Sequence, residues 1–203
     1  MKLYYMPGAC SLADHITLEW AGQSYDTKKL SHDDLKKDEY LQINPLGAVP
    51  ALELEDRVLT QNSAILNYLA DSHPDAELGG DGTAKSRAEV NRWLGFLNSD
   101  LHPAFAPLFG ATGYLSDEQA IEETKENAKK KLRGLFERAD KQLSGKDWLA
   151  GTRSIADPYL FVVMRWAKAM KIDLSGLENL QRFFKRMHED AGVKRALETE
   201  GLA

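Results

Sequence analysis

The sequence contains a single cysteine, Cys10, among its 203 residues. One cysteine excludes an internal disulfide, and it excludes the cysteine-rich ligand sets that build structural zinc sites. We therefore expect no metal centre. The lone thiol has two interpretations: a small buried apolar residue, or a reactive group.

Long apolar runs are also absent. No stretch of about 18 apolar residues occurs, and the opening residues lack the apolar core and small-residue cleavage site of a secretory signal. We expect a cytoplasmic protein that binds no membrane. The formal net charge of −5 comes from both signs, and no basic stripe favours nucleic acid. The composition, 43% hydrophobic and 28% charged, is that of a globular chain long enough to build a core.

The first part of the chain alternates strand patterns with helical ones. Residues 2–6 predict a short buried strand, and residues 11–22 repeat apolar side chains every four positions before a glycine, as a helix does. Residues 25–30 predict a second strand. Residues 52–59 alternate around a tight turn and predict a hairpin, and residues 65–69 form a helical face. The order is β-α-β followed by β-β-α.

The second part of the chain has helical periodicity throughout. Residues 78–86 hold three glycines and no apolar period, so we predict a linker between a domain at 1–77 and an all-helical domain at 87–203. The predicted helical faces run from Val90 to Leu101, from Ala128 to Leu143, from Leu160 to Met170 and from Leu177 to Met187.

Cys10 lies between a Pro-Gly turn and a predicted helix start. Ser11 and Asp14 have the spacing of a capping box, with Ser11 as the N-cap. The helix dipole and the unpaired N–H groups at such a position lower a thiol pKa from its usual value of about 8.5, and Asp14 opposes this effect. The position favours a reactive thiol over an inert one.

Two further segments carry binding chemistry. If the Val49-Pro50 bond is cis, the backbone of Val49 turns outward and can pair with an extended peptide; the alternative is an ordinary proline at a strand entry. Gln61, Asn62 and Ser63 lie where a strand leads into a helix. That position suits either a carboxylate ligand or simple N-capping.

Several segments together resemble the bacterial beta-class glutathione transferases. They are MKLYYMPGACSLADHITL, NPLGAVPAL, LTQNSAILNYLAD, DLHPAFAPLF and SIADPYLFVVMRWA. The resemblance spans the whole chain. It implies an α/β thioredoxin-like N-terminal domain joined to an all-α C-terminal domain, a homodimer, and glutathione as co-substrate. The implied activity is conjugation of the glutathione thiolate to small, largely apolar electrophiles in detoxification, with thiol–disulfide exchange or peroxidase activity beside it.

The resemblance also implies residue roles. It gives catalytic roles to Cys10 and His102. The implied glutathione contacts are Ala9, Cys10, Val49, Pro50, Gln61, Asn62, Ser99, Asp100 and His102. Ser99 and Asp100 are implied to reach across the dimer interface to the γ-glutamyl group. The implied apolar pocket consists of Phe105, Phe109 and Trp166.

Some positions depart from the family pattern. Gln61 stands where the family has a glutamate, Leu35 aligns with a lysine that contacts the glycyl carboxylate, and Gly95 replaces an interface asparagine. Lys36 or Lys37 is a candidate substitute for that lysine. These departures weaken the expected affinity for glutathione, and they keep a non-catalytic binding or regulatory protein as the alternative.

Two other points remain open at the level of sequence. Tyr5 and Ser11 are rival activators of the thiol, since other classes of the superfamily use a hydroxyl there; Tyr5 is better explained as core and Ser11 as a cap.

Ser154 and Asp157 form a second capping box at the start of the helix that carries Trp166. This capping box resembles the family's folding signature.

Overall fold

The computed structural model describes all residues from 1 to 203. Its N-terminal part contains β1 (Lys2–Tyr5), α1 (Ser11–Ala21), β2 (Asp26–Lys29), α2 (Asp38–Leu41), β3 (Ala51–Glu53), β4 (Val58–Thr60) and α3 (Asn62–Ser72). The predicted β-α-β and β-β-α units are therefore confirmed. The short helix α2 lies in a polar stretch whose sequence carries no apolar period.

The four strands form one mixed sheet in the order β2-β1-β3-β4, with β1 parallel to β2 and antiparallel to β3. Strand periodicity places alternate residues of β1 on opposite faces. Leu3 packs with Leu52 of β3 and with α1 and α3, whereas Tyr4 packs on the other face against Tyr40. The outer strand β2 is exposed along its whole length.

Helix α1 is the element that both halves of the chain share. Every residue from Ser11 to Leu18 is buried, and the helix ends at Gly22, whose φ of 69° allows the left-handed cap. Leu18 packs into the core beneath the sheet, while Leu12 and Ile16 belong to the core of the helical part. The N-terminus of α1 is consequently held from two sides.

The C-terminal part consists of α4 (Ala84–Phe96), α5 (Glu118–Gln142), α6 (Ala156–Ala169), α7 (Glu178–Glu189) and α8 (Ala191–Glu200). The last three predicted helical faces fall on α5, α6 and α7, and the first falls on α4 and the turn of residues 97–101 that follows it. Helix α8 was not predicted, because alanine, glycine and glutamate hold much of its buried face and give little apolar contrast. None of the helices is long and apolar enough to cross a membrane.

The connection between the two parts is shorter and more ordered than the sequence suggested. Helix α4 begins at Ala84, inside the predicted linker, where Thr83 caps it by accepting a hydrogen bond from Ser86 N–H. Leu78 is fully buried in the helical core, and its carbonyl accepts the N–H of Ile155 at 3.0 Å. The first linker residue therefore belongs to the packed domain.

Candidate functional site

Cys10 is the point where three elements meet. Its Sγ–H donates to the carbonyl of Val49, with 3.4 Å between sulfur and oxygen, and its own carbonyl accepts Nδ2 of Asn62 at 3.2 Å. Val49 precedes β3, and Asn62 is the first residue of α3. The start of α1 is thus joined to the loop before β3 and to the start of α3.

The predicted capping box at Ser11 and Asp14 is wrong. Oγ of Ser11 bonds back to the N–H and carbonyl of Met6, at 3.3 and 3.4 Å, and caps nothing in α1. Asp14 is fully buried, and neither oxygen of its carboxyl has a hydrogen-bond partner. Ser11 instead stabilises the tight turn after β1, because its hydroxyl bonds to both the N–H and the carbonyl of Met6.

The expectation of a thiolate at Cys10 is also reversed. Burial first, and the nearby Asp14 carboxylate second, raise the pKa of the Cys10 thiol to about 12. The backbone N–H groups of Cys10 and Ser11 lower this pKa, but their effect is the smaller one. Cys10 is therefore a protonated hydrogen-bond donor at neutral pH.

The two rival hydroxyls have other partners. Oη of Tyr5 lies 3.4 Å from the carbonyl of Thr199 in α8, and the Tyr5 ring packs against His15. Burial raises the pKa of the Tyr5 phenol. Because Ser11 is bound to Met6, neither hydroxyl bonds to Cys10 in this chain.

The loop before β3 has the backbone shape that the sequence hypothesis required. The Val49-Pro50 bond is cis. The N–H of Val49 has no partner in the chain, and Val49 is partly exposed while Pro50 is buried. An extended peptide lying beside Val49 would find an unused donor there.

The start of α3 presents unpaired N–H groups. Gln61 is exposed and adopts φ 73°, and no side chain caps the helix, so the N-capping interpretation is wrong. The N–H groups of Asn62 and Ser63 form no bond within the chain, which is the arrangement that attracts a carboxylate. Asn62 as a whole is 4% exposed, and its side chain bonds to the carbonyl of Cys10.

His102 follows an unusual helical turn. Residues Leu97–Leu101 form a π-helical turn, and the N–H of His102 donates to the carbonyl of Leu97 at 2.9 Å; such turns often occur at functional sites. Nδ1 of His102 lies 2.6 Å from Oη of Tyr159. Burial lowers the pKa of the His102 imidazole. The ring therefore stays neutral to a lower pH than a free histidine does.

An aromatic group adjoins His102. The ring of Trp166 meets the His102 ring edge-on with 4.7 Å between centroids, and the ring of Phe109 meets that of Trp166 edge-on with 5.3 Å between centroids. Phe109 is 49% exposed, whereas Phe105 is 0% exposed and stacks behind it. Phe105 is therefore a core residue that supports Phe109 from within, whereas Phe109 and Trp166 reach the surface.

Side chains of α6 and α8 hold the turn before Cys10. Nε1 of Trp166 donates to the carbonyl of Gly8 at 2.7 Å, and the N–H of Gly8 donates to Oε2 of Glu200 at 2.9 Å. The other oxygen of Glu200 pairs with Nδ1 of His15 at 3.0 Å. The sequence reading missed Glu200 and Tyr159, because a single polar residue in a helix gives no local sign of a partner far along the chain.

The remaining predicted residues lie at the edge of the site. Ala9 is in the turn immediately before Cys10 and is partly buried. Ser99 and Asp100 are exposed on the π-helical turn, and neither side chain bonds within the chain. The structure therefore brings Cys10, Val49 and Asn62 together and leaves Ser99 and Asp100 on the surface.

The open side of the site presents donors rather than bases. The N–H groups of Val49, Asn62 and Ser63 have no acceptor within the chain, and the Sγ–H of Cys10 would have to leave the carbonyl of Val49 to reach an anionic ligand. Nowhere do three or more histidine, cysteine, aspartate or glutamate side chains group in a way that could hold a metal ion. The arrangement suits a peptide with anionic groups.

Two family models match most of the chain. Residues 1–71 match the family model "Glutathione S-transferase, N-terminal domain", and residues 85–190 match "Glutathione S-transferase, C-terminal domain". The chain is 54% identical to glutathione S-transferase GST-4.5 of Xanthomonas campestris over 203 residues, which covers 100% of both chains.

Solved structures are similar over the whole chain. A glutathione S-transferase from Xylella fastidiosa superimposes with a TM-score of 0.97 at 55% identity, covering 100% of this chain and 99% of that one. A bacterial beta-class enzyme of Sphingomonas chungbukensis gives a TM-score of 0.88 at 40% identity, with both chains covered completely. The chain belongs to the glutathione S-transferase family and resembles its bacterial beta class.

Proposed function

We propose that this protein conjugates the thiolate of glutathione to small, largely apolar electrophiles. The observation that carries the proposal is the set of hydrogen-bond donors around Cys10, which lies next to a half-exposed aromatic wall. The family assignment supports the reaction class. A solved relative with 35% identity and a TM-score of 0.89 is described as complexed with glutathione.

Glutathione would lie along the loop before β3. Its cysteinyl unit would pair with the backbone of Val49, beside the cis bond to Pro50. Its γ-glutamyl carboxylate would accept the N–H groups of Asn62 and Ser63 at the start of α3, with Gln61 beside it. These positions account for the donors that the chain itself leaves unpaired.

Cys10 would act on the glutathione sulfur as a donor. A hydrogen bond to the charged form of a group lowers its pKa. A free thiol titrates near 8.5, so a fall of about two units makes most of the bound sulfur ionic at neutral pH and corresponds to about 2.7 kcal/mol. In this scheme the nucleophile belongs to the substrate, and Cys10 stabilises it without becoming ionised.

Thiol–disulfide exchange through Cys10 receives less support. That reaction needs a thiolate on the enzyme, and burial holds the pKa of Cys10 near 12. Attack by Cys10 on a disulfide would therefore be slow at neutral pH. We assign conjugation as the main activity and detoxification as its purpose.

The electrophile would bind against Phe109 and Trp166, whose rings form the apolar side of the site. We further propose a homodimer, in which Ser99 and Asp100 of the partner reach the γ-glutamyl group; the exposure and lack of partners of both side chains support this. The carboxylate of Asp100 suits the γ-glutamyl ammonium. The single cysteine fits a reducing cytoplasm as the place of action.

Calorimetry with glutathione, followed by conjugation of an activated aryl chloride, tests the proposal. We expect binding at millimolar or lower concentration and turnover that Cys10→Ala reduces without abolishing. Cys10→Ser is the matched control, because its hydroxyl keeps a donor at the same position, and it should retain more activity than the alanine variant. No binding at millimolar glutathione would refute the proposal and favour a non-catalytic relative.

A further inference from the structure

His102 is held by a buried hydroxyl. Tyr159 is 0% exposed at the start of α6, and its Oη lies 2.6 Å from Nδ1 of His102. The hydroxyl also lies 3.4 Å from Oδ1 of Asn98, to which it can donate, and the side chain of Asn62 is close enough to lower the Tyr159 pKa. The first distance is that of a strong hydrogen bond, and the second is at the outer limit for one. Nδ1 of His102 is therefore the nearest acceptor for the hydroxyl proton, and Oδ1 of Asn98 is the more distant one.

The charge states of the two groups agree with a hydrogen bond that Tyr159 donates to His102. Burial raises the pKa of the Tyr159 phenol, so the hydroxyl keeps its proton. Burial lowers the pKa of His102, so its imidazole is neutral. A neutral imidazole has one N–H and one lone pair. When Nδ1 accepts the Tyr159 proton, the ring's own proton lies on Nε2.

Nε2 is the nitrogen that a ligand can reach. It forms no hydrogen bond within the chain, and it is not among the buried polar atoms without partners, so solvent has access to it. The edge-on contact with Trp166 at 4.7 Å and the bond to Tyr159 together fix the plane of the ring. The direction of the Nε2–H bond is consequently fixed as well.

We propose that Tyr159 is a positioning residue that holds His102 as the Nε2–H tautomer, so that the imidazole donates a hydrogen bond to the bound ligand and accepts no proton from it. His102 then acts in the same sense as Cys10, as a second donor toward an anionic group. The identity of that group as the glutathione sulfur rests on the proposed function. The tautomer itself does not.

The tautomer is measured in the ligand-free protein by long-range ¹H–¹⁵N NMR of the labelled imidazoles at pH 8. We expect the His102 Nδ1 signal in the range of an unprotonated nitrogen and the Nε2 signal in that of a protonated one. A protonated Nδ1, or equal populations of the two forms, overturns the proposal. This result is independent of any transferase activity.

Tyr159→Phe removes the hydroxyl and keeps the ring. We expect the His102 signals to move toward a mixture of tautomers and kcat/KM to fall about fivefold, as the loss of one hydrogen bond implies. Tyr25→Phe, which removes a hydroxyl bonded to Glu19, is the matched control and should leave the His102 signals unchanged. If Tyr159→Phe fails to fold, the wild-type spectrum still tests the predicted tautomer, and a protonated Nδ1 still overturns the proposal.

His102→Gln separates positioning from general structural support. A glutamine amide can place a donor near the former Nε2 and has no tautomers to fix. In this background we expect Tyr159→Phe to change kcat/KM less than twofold, whereas an equal loss in both backgrounds contradicts a positioning role. If no variant, including wild type, conjugates the aryl chloride, the proposed function fails while the NMR result still stands.

Discussion

Asp157 is the residue whose loss we expect to destabilise the helical domain most sharply. Its Oδ1 accepts the N–H of Leu149 at 2.9 Å, and its Oδ2 accepts the N–H of Ser154 at 2.8 Å and Oγ of Ser154 at 3.2 Å. Asp157 and Ser154 are 0% exposed. The half of the predicted capping box in which Asp157 reaches back to Ser154 is therefore confirmed. Oγ of Ser154 accepts Ala156 N–H at 3.3 Å.

The magnitude follows from the two buried N–H groups. Asp157→Ala leaves both without an acceptor, and each unpaired buried group costs about 1–3 kcal/mol. We expect a loss of about 2–5 kcal/mol in the free energy of unfolding. Asp157→Asn keeps one carbonyl oxygen and should lose about half as much, while Ser154→Ala should lose about 1 kcal/mol, as for other caps.

Urea titrations at one fixed protein concentration, followed by circular dichroism, measure these changes as shifts of the midpoint at constant slope. The pH dependence gives a second check. Burial raises the pKa of Asp157 to about 7, above its unfolded value near 3.8, so the ionisation contribution is present at low pH and is lost as the pH rises from about 4 to 7. The difference in free energy of unfolding between wild type and Asp157→Asn should be larger at pH 5 than at pH 8. The reasoning would be refuted if Asp157→Ala lost less stability than Ser154→Ala, or if the difference between wild type and Asp157→Asn increased with pH.

Three further outcomes are expected. Alkylation of Cys10 by iodoacetamide should be slow at pH 7.5 and accelerate up to pH 10 and beyond, because burial holds the thiol pKa near 12; a plateau below pH 8 contradicts this. Burial raises the pKa of Asp14 well above its unfolded value, so Asp14→Asn should be more stable than wild type at pH 8 and lose that advantage toward pH 4, as urea midpoints will measure. Phe109→Ala should raise KM for an apolar electrophile about tenfold, since it removes about 1–2 kcal/mol of apolar contact. The same change should leave KM for glutathione within twofold. Equal changes in both KM values would contradict a role of Phe109 in binding the electrophile.

The sequence predicted the layout well because local patterns carry it. The alternation in β1 and the repeat in α1 with Gly22 after it each follow from the geometry of one element. The cis bond before Pro50 did not follow from local pattern alone, since an ordinary strand-entry proline was equally compatible with the residues. Prediction failed for α8, whose buried face contains Gly192 and Ala196 and so lacks apolar contrast.

The sequence predicted where the site lies but not its electrostatics. Cys10 was found from its turn and helix start, yet the sign of its pKa shift depends on burial by the other domain and on an unpaired Asp14, which no local pattern shows. Phe105 and Phe109 look alike in sequence, although one is buried and the other exposed. Tyr159 could not be singled out, because its partner His102 lies 57 positions away.

The peptide of Gly8 has a consequence for any attempt to divide this enzyme. Its carbonyl and its N–H are both taken by side chains of the helical part, Trp166 and Glu200, which lie 158 and 192 positions further along the chain. A chimera that keeps residues 1–77 but replaces the helices would retain the sheet and lose the two hydrogen bonds that hold the segment before Cys10. Exchange of modules between relatives must therefore carry both anchoring side chains along with the fold.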